Sequence, residues 1–379
     1  MKYVAALSGG VDSSVVAGLL KEAGHDVLGI MLKLAPDRDG APAARRCCSL
    51  DDALDARAVA NRLGIPFYVV NAQEEFARHV VEPFVGAYRE GRTPIPCVAC
   101  NTHLKFGRLV QHARALGARL ATGHYARVVH GPDGPQLHRP ADRDRDQTYF
   151  LHAIGLEALG AVDFPLGELR KPAVRAHAAR LGLPVVAKPD SQEICFVPDE
   201  GHGAFVELWD GKGATPGELV DPAGNLVGHH RGVHTLTVGQ RKGLGVRTTD
   251  RLYVLQLDAR DGRAWVGPET ELLARGLVAQ DARWLATDAE LETLLAGPVQ
   301  VQVRARHVAA EARVERMGSG FRVAFQEPQR ALAPGQSAVV YADTRCLGGG
   351  TIQAAWSPLP TGPHNPSVCL DSALTKSHI

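Results

Sequence analysis

Over roughly its first two hundred residues the chain alternates short apolar runs with helix-period segments, a rhythm that restricts the fold more than any other feature. YVAAL leads into VVAGLLKEAG and HDVLGIML into a polar loop. DALDARAVANRLG is followed by IPFYVV, GRLVQHARALG by RLATGHYARVV, and HAARLGLPVV at 177–186 reads as one more helix–strand passage. Strands separated by helices pair through crossover connections. An α/β fold with a doubly wound parallel sheet is therefore expected over residues 1–200. After Glu200 the texture changes to GHGAFVELWDGKGATPGELVDPAGNLVGHHRG, rich in glycine and turn signals. That predicts a small irregular or β module over 201–275. The spaced alternating runs VQVRARH, ARVERM, FRVAF and SAVVYA then predict a β-barrel over 276–356. The proline- and serine-rich stretch 357–379 has little to bury and is expected to be a flexible tail.

With 379 residues, 45% of them apolar, the chain has core enough for two or three domains. No apolar run approaches the ~18 residues of a membrane span. The N-terminus enters a strand directly, without a basic leader, and seven cysteines in so long a chain argue for a reducing compartment. A cytoplasmic protein, with no membrane partner, is expected. The formal net charge of +1 excludes a globally basic surface. Between Gln300 and Arg322, however, five arginines face two glutamates, a local basic patch of the kind that grips phosphates.

The first strand ends in SGGVDSS, Ser8 to Ser14. Glycines at a strand-to-helix corner let backbone N–H groups converge on a ligand without a Cβ in the way. The helix that follows adds unpaired N–H groups and the positive end of its dipole. Ser8, Ser13 and Ser14 can donate to phosphate oxygens, and Asp12 suits a Mg²⁺ that bridges phosphates. The alternative is a Gly-Gly turn whose Asp and Ser cap a helix. No lysine follows the glycines, so this is not the GxxxxGK[ST] loop. The stretch resembles the PP-loop of the N-type ATP pyrophosphatases. That resemblance implies cleavage of ATP between its α and β phosphates, adenylation of a carbonyl-type oxygen, and displacement of AMP by a nucleophile.

Cysteines suggest the nucleophile. GRTPIPCVACNTHLKFG carries Cys97 and Cys100, and KPDSQEICFVPDEG carries Cys195. A thiolate beside a cationic or dipolar partner is a good sulfur nucleophile, and Cys100 has His103 and Lys105 close in sequence. Two other readings stand beside this one: inert half-buried cysteines, or a metal or iron–sulfur site built from Cys97, Cys100 and Cys195 or from Cys47 and Cys48.

Taken together, SGGVDSS, RRCCSLDDALDARAVANRLGIPFYVV, GRTPIPCVACNTHLKFG, ATGHYAR, DRDQTYFL, KPDSQEICFVP, TVGQRKGLGV and LGGGTI occur in this order. From residue 1 to about 356 the chain resembles the bacterial tRNA-specific 2-thiouridylases. The resemblance implies sulfur transfer to C2 of the wobble uridine in tRNAs for Lys, Glu and Gln. It implies Cys195 as the persulfide carrier and Cys100 as its partner nucleophile, with a transient Cys100–Cys195 disulfide. Either the persulfide attacks C2 directly, or Cys100 first reduces it to release hydrosulfide. The implied cofactors are ATP and Mg²⁺, with an iron–sulfur cluster as the less favoured alternative. The implied partners are the tRNA anticodon arm and a persulfide-delivering protein fed by a cysteine desulfurase.

Carried over by position, Ala6, Leu7, Ser8, Gly9, Gly10, Val11, Asp12 and Ser13 would line the ATP phosphates. Leu32 would offer its backbone to the adenine edge, and Gly123 would allow the nucleotide to approach. Ile95, Pro96 and Cys97 match the segment that holds the flipped-out base, where many relatives have Asn-Pro-Asp. His124, Arg145, Asp146, Gln147, Arg304, Ala305 and Gln336 match tRNA-touching positions. The bland readings are a solvated charged loop for 145–147 and an exposed strand face for Arg304. The run Gly239 to Gly245 belongs to the tRNA-facing central module. Two rivals remain at this level: an amide-forming PP-loop ligase, and a nucleotide-sensing RNA-binding protein without catalysis.

Overall fold

A computed structural model describes residues 1–34, 50–190, 194–246 and 251–356. Cys47, Cys48, Cys369 and the expected tail 357–379 lie outside the described residues.

The parallel sheet is present. Its strands are β1 (Lys2–Ala6), β2 (Asp26–Lys33), β3 (Phe67–Asn71), β4 (Arg119–Ala121) and β7 (Val162–Asp163), ordered β3-β2-β1-β4-β7. Tyr3 pairs with Val27 on one side and Arg119 on the other. Alternation along the strands feeds two cores. Tyr3, Ala5 and Leu7 pack with Val15 of helix α1 (Val11–Glu22), Val59 of helix α2 (Leu50–Leu63) and Val174 of helix Lys171–Arg180. Val4, Ile30 and Leu120 face the opposite layer, with Phe76, Phe84, Leu104 and Leu109. Because β1 lies between β2 and β4, the crossovers leave it in opposite directions. This is the switch point at which such sheets open a crevice beyond their carboxyl ends.

Three local expectations change. RLATGHYARVV is not one strand: β4 stops at Ala121, and β5 (Arg127–Gly131) begins a hairpin with β6 (Gly134–His138). LPVV at 183–186 forms turns, although Leu183 and Val185 are buried: they fill the core with Tyr3, Val15 and Val174 and make no strand pairing. In the glycine-rich module a helix, His202–Asp210, precedes the strands. Its apolar AFVELW stretch ends at Gly211, whose φ of 69° makes it a left-handed cap.

The central module is a four-stranded sheet of β8 (Gly217–Val220), β9 (Leu226–His230), β10 (Tyr253–Asp258) and β11 (Arg263–Gly267). The C-terminal strands are β12 (Leu273–Trp284), β13 (Val299–Gln302), β14 (Ala310–Met317), β15 (Gly320–Arg330), β16 (Ser337–Ala342) and β17 (Arg345–Trp356). They close into a six-stranded barrel through the pairing of β12 with β17. Among the described residues no helix is long and apolar enough to cross a membrane.

The barrel is fused to the parallel-sheet domain. Strand β17 pairs with β6, Arg345 opposite His138, so the barrel sheet runs on into the hairpin. The Tyr149 hydroxyl donates to the Ser337 carbonyl at 3.1 Å. The Arg139 guanidinium lies 3.6 Å from the centre of the Tyr341 ring and pairs with Asp146; the two side chains are 13% and 10% exposed. Arg139→Ala is expected to cost about 3–5 kcal/mol, because Asp146 would be left buried without its cation and the Tyr341 ring without the guanidinium over it. Urea denaturation followed by tryptophan fluorescence checks this; a loss below ~1 kcal/mol would make the pair equivalent to a surface contact.

Candidate active site

The corner after β1 is shaped by backbone constraints that glycine alone meets. Gly9 has a φ of 72°, and a Cβ on it would stand 2.4 Å from the Asp52 carbonyl oxygen at the start of α2. Gly10 opens α1 in an extended conformation and has no side chain with which to cap the first-turn N–H groups. The serines hold the loop together. The Ser14 hydroxyl donates to the Gly10 carbonyl at 2.7 Å, and the Ser8 N–H donates to Ser13 Oγ at 3.1 Å. Ser8 Oγ and Ser13 Oγ are also 3.1 Å apart.

The second wall comes from β4. A Cβ on Gly123 would lie 2.8 Å from the Ser13 nitrogen and 3.0 Å from the Asp12 carbonyl carbon. The carboxyl ends of β1 and β4 thus meet at the switch point with only glycine between them. Gly123→Ala must push backbone against backbone. It is expected to weaken ATP binding about tenfold or more and to cost 1–3 kcal/mol of stability. Isothermal titration and thermal melting check it; unchanged binding would mean that nucleotide does not sit here. Leu32 is buried in β2, in register with Val70 of β3.

An ion network that sequence reading missed lies against this corner. Lys171, the first residue of its helix and buried, donates to both oxygens of Asp12 at 2.7 and 2.9 Å. It also contacts Asp190 at 2.7 Å. The Tyr125 hydroxyl donates to Asp12 at 3.1 Å; burial first, then the Asp12 charge, raises the Tyr125 pKa and keeps the phenol neutral. Asp190 is further shared with Arg145 at 2.8 Å and Arg175 at 3.3 Å. Burial pushes the Asp190 carboxyl up, but the Lys171 hydrogen bond and the surrounding cations outweigh it and hold it below the usual range. Lys188 bridges Asp52 at 2.7 Å and Asp55 at 2.6 Å. The segment leading toward Cys195 is therefore pinned to α2 at Lys188 and, through Asp190, to Lys171. Asp190 was within reach of sequence reading, since it lies in KPDSQEIC. Tyr125 likewise lies in ATGHYAR, whereas Lys171 left no signal beyond its residue type.

Cys100 is buried, Cys97 exposed and Cys195 half-buried. Ile95 precedes a helical turn, Pro96–Ala99, that widens into a π-helical stretch over Cys100–Arg108. Cys100 belongs to the core cluster of Phe76 and Phe84, against which Ile95, Ile194, Cys195 and Phe196 also pack. The Phe196 ring makes edge contacts with Phe76 and Phe84 at 5.5 and 5.0 Å, anchoring the residue next to Cys195. Both cysteine segments thus share one apolar cluster on one face of the sheet. His103 stacks on His79 with ring centres 4.7 Å apart. Burial, then the neighbouring His79 and Arg283, lowers its pKa and favours the neutral ring. Among the described residues no three His, Cys, Asp or Glu side chains are grouped to hold a metal ion.

The positions matched to tRNA contacts fall into different settings. His124 is buried between Phe106 and Phe164, its Nδ1 2.8 Å from the Thr122 hydroxyl. Burial, then Lys105, pulls its pKa well down, so the ring is a neutral core group. Arg145 faces Asp190. Asp146 pairs with Arg139 and accepts from the Thr148 N–H at 2.9 Å, and Gln147 Oε1 accepts from the Tyr125 N–H at 2.8 Å. The Arg304 guanidinium donates to the Arg330 carbonyl at 3.0 Å, and the Ala305 carbonyl accepts from Gln302 at 3.1 Å. The Gln336 amide donates to the Thr93 carbonyl at 3.0 Å, tying the barrel to the strand of chain that leads to Cys97. Gln336 thus fastens the barrel to the parallel-sheet domain, whereas Asp146 is held by Arg139 and Thr148 of its own domain.

Comparison with known proteins agrees with this architecture. A family model described as tRNA methyl transferase HUP domain matches residues 1–199. Models described as tRNA methyl transferase PRC-barrel domain and aminomethyltransferase beta-barrel domain match 208–268 and 274–352. The tRNA-specific 2-thiouridylase MnmA of Geobacter metallireducens is 49% identical over 361 residues, which are 93% of this chain and 97% of that protein. The protein of the same name from Acidobacterium capsulatum is 48% identical, over 92% of this chain and 97% of its own. That of Deinococcus radiodurans is 45% identical, over 95% and 94%. The chain belongs to the tRNA-specific 2-thiouridylase family.

Proposed function

We propose that this protein uses ATP to replace the C2 oxygen of the wobble uridine, U34, by sulfur in tRNAs for Lys, Glu and Gln. The observation that carries the reading is the meeting of two strand ends at Gly9, Gly10 and Gly123, with the N-terminus of α1 opening between them. A bare helix N-terminus at a switch point is suited to phosphates. Transfer of a methyl group from an already activated donor needs no such site, whereas displacing a uracil oxygen does, because that oxygen leaves poorly until AMP is attached.

The C2 oxygen attacks the α phosphorus, and the α–β bond breaks with its electron pair leaving on pyrophosphate. The terminal sulfur of a Cys195 persulfide then attacks C2, and AMP departs with the C2–O electron pair. Cys100 thiolate attacks Cys195 Sγ, the sulfur–sulfur bond breaks toward the base, and a Cys100–Cys195 disulfide remains for an external thiol to reduce. The shared packing of the Cys100 and Cys195 segments supports this pairing. Prior release of hydrosulfide by Cys100 uses the same two residues. The uridine must leave its stack for C2 to be reached. Ile95, Pro96 and Cys97 would receive it, and the arginines of the barrel would position the anticodon arm. A persulfide-delivering protein fed by a cysteine desulfurase would load Cys195 in the cytoplasm.

Mg²⁺ would enter with the ATP phosphates as their counter-ion. Asp12 does not fit the role of its ligand in this geometry, since both carboxylate oxygens accept from Lys171. The three-cysteine cluster finds no support in the grouping of side chains among the described residues.

Incubation with ATP, unmodified tRNA and a persulfide donor, followed by nucleoside analysis of U34, tests the proposal. The expected result is 2-thiouridine with matching AMP and pyrophosphate. AMP with a new amide, or neither product, would overturn it.

A further inference from the structure

We infer that Lys171 is the cation that takes the phosphates of ATP at this corner. The inference rests on the ATP-dependent reading above and adds a residue that the loop itself lacks. Breaking the α–β bond places new negative charge on the departing pyrophosphate, and a fixed positive group there is worth most in a water-poor site. SGGVDSS contains no lysine or arginine.

Lys171 lies 159 positions away in sequence, yet its ammonium sits on the carboxylate of the second residue of α1. It begins a helix of its own, Lys171–Arg180, whose first N–H donates to the Asp142 carboxylate at 2.8 Å, which fixes where the lysine stem starts. The two helices approach closely because Gly18 of α1 leaves room for Leu181, which a Cβ would meet at 2.6 Å.

The ammonium has three N–H donors. Two contacts go to Asp12 at 2.7 and 2.9 Å and the third to Asp190 at 2.7 Å. These partners are not equivalent. Asp190 also holds Arg145 and Arg175, so it stays compensated if Lys171 leaves. Asp12 has, besides Lys171, only the neutral hydroxyl of Tyr125 among its described hydrogen-bond partners. An arriving phosphate therefore displaces Asp190 from Lys171, while Asp12 keeps the ammonium at the corner. Without nucleotide the ammonium is parked between two carboxylates, which compensate a charge whose side chain is only 10% exposed.

The test compares wild type, Lys171→Gln and Asp190→Asn in the full-length protein. ATP affinity is read by isothermal titration, and pyrophosphate release by single turnover with tRNA. Lys171→Gln is expected to bind ATP about 10–100-fold more weakly, as for a lost charge-assisted hydrogen bond. Its pyrophosphate release should fall by about 10²–10³. Asp190→Asn is expected to bind ATP more tightly than wild type, because no carboxylate then competes for the ammonium. A purely structural ion pair predicts the opposite for that variant: both substitutions would weaken binding together, which would overturn the inference. So would wild-type ATP binding and pyrophosphate release in Lys171→Gln. If Lys171→Gln shows no cooperative melt, the sign of the Asp190→Asn change decides alone. A wild-type protein that releases no pyrophosphate with tRNA would instead sink the ATP-dependent reading, a distinct outcome.

Discussion

Cys195→Ser is expected to abolish sulfur transfer to tRNA while ATP-dependent pyrophosphate release continues near the wild-type rate. In the proposed mechanism the two chemistries use different parts of the fold. Cys195 packs, beside Phe196, on the cluster that contains Cys100, Phe76 and Phe84, in the layer on one face of the sheet. The proposed ATP corner is built from Gly9, Gly10 and Gly123 at the ends of β1 and β4, with α1 on the other face. Serine is close in size to cysteine, so the half-buried site should repack at little cost. Its hydroxyl cannot carry a persulfide. Single-turnover release of labelled pyrophosphate, run beside nucleoside analysis of the same tRNA, separates the steps. A serine variant that still thiolates U34 from a persulfide donor would remove Cys195 from the mechanism. One that loses pyrophosphate release as well would show that Cys195 is needed to assemble the ATP site.

Asp12→Ala is expected to do the reverse, slowing pyrophosphate release by about 10²–10³ while persulfide loading of Cys195 persists. Asp12 holds Lys171 against the first turn of α1 through both carboxylate oxygens. With alanine there, Lys171 retains Asp190 and is drawn toward it, away from the helix end. Gly10, not Asp12, occupies the cap position, so loss of a helix cap is not the explanation for the defect. Persulfide loading can be followed by mass spectrometry of the intact protein. Pyrophosphate release near wild type would reduce Asp12 to a first-turn acid that merely complements the helix dipole, a contribution of about 0.3–1 kcal/mol.

Much of the fold was legible because its signals are local. The alternation of apolar strands with helical periods specifies a parallel sheet, since each crossover must cover a face. The paired glycines of SGGVDSS marked a tight strand-to-helix corner, because at Gly9 a φ of 72° and a 2.4 Å approach to Asp52 exclude a side chain. Evenly spaced alternating runs marked the barrel. The places where reading failed share a cause. LPVV looked like a strand because it is apolar and β-branched, but Leu183 and Val185 are buried by packing with Val15 and Val174 of two helices, without strand pairing. GHGAFVELW looked irregular because its glycines outweighed a short apolar helix period that only packing of Val206 into the main core makes stable.

The site divides in the same way. The residue types for phosphate and sulfur chemistry were visible as short motifs: two glycines before a helix, a CxxC, and a cysteine in SQEICFV. Their roles as neighbours were not. Whether His124 meets solvent or lies between Phe106 and Phe164 depends on which side of the ATGHY turn faces the core. That Arg139 lies over the Tyr341 ring while it pairs with Asp146 depends on a barrel that begins more than a hundred residues later. The charge at the glycine corner depends on Lys171, which no motif marks and which the topology delivers from the start of a distant helix. Backbone conformation and hydrophobic period are properties of adjacent residues, so the sequence alone determined the architecture and the location of the corner. Charge compensation in a buried site depends on which side chains the crossovers bring within 3 Å, and that only the tertiary structure decided.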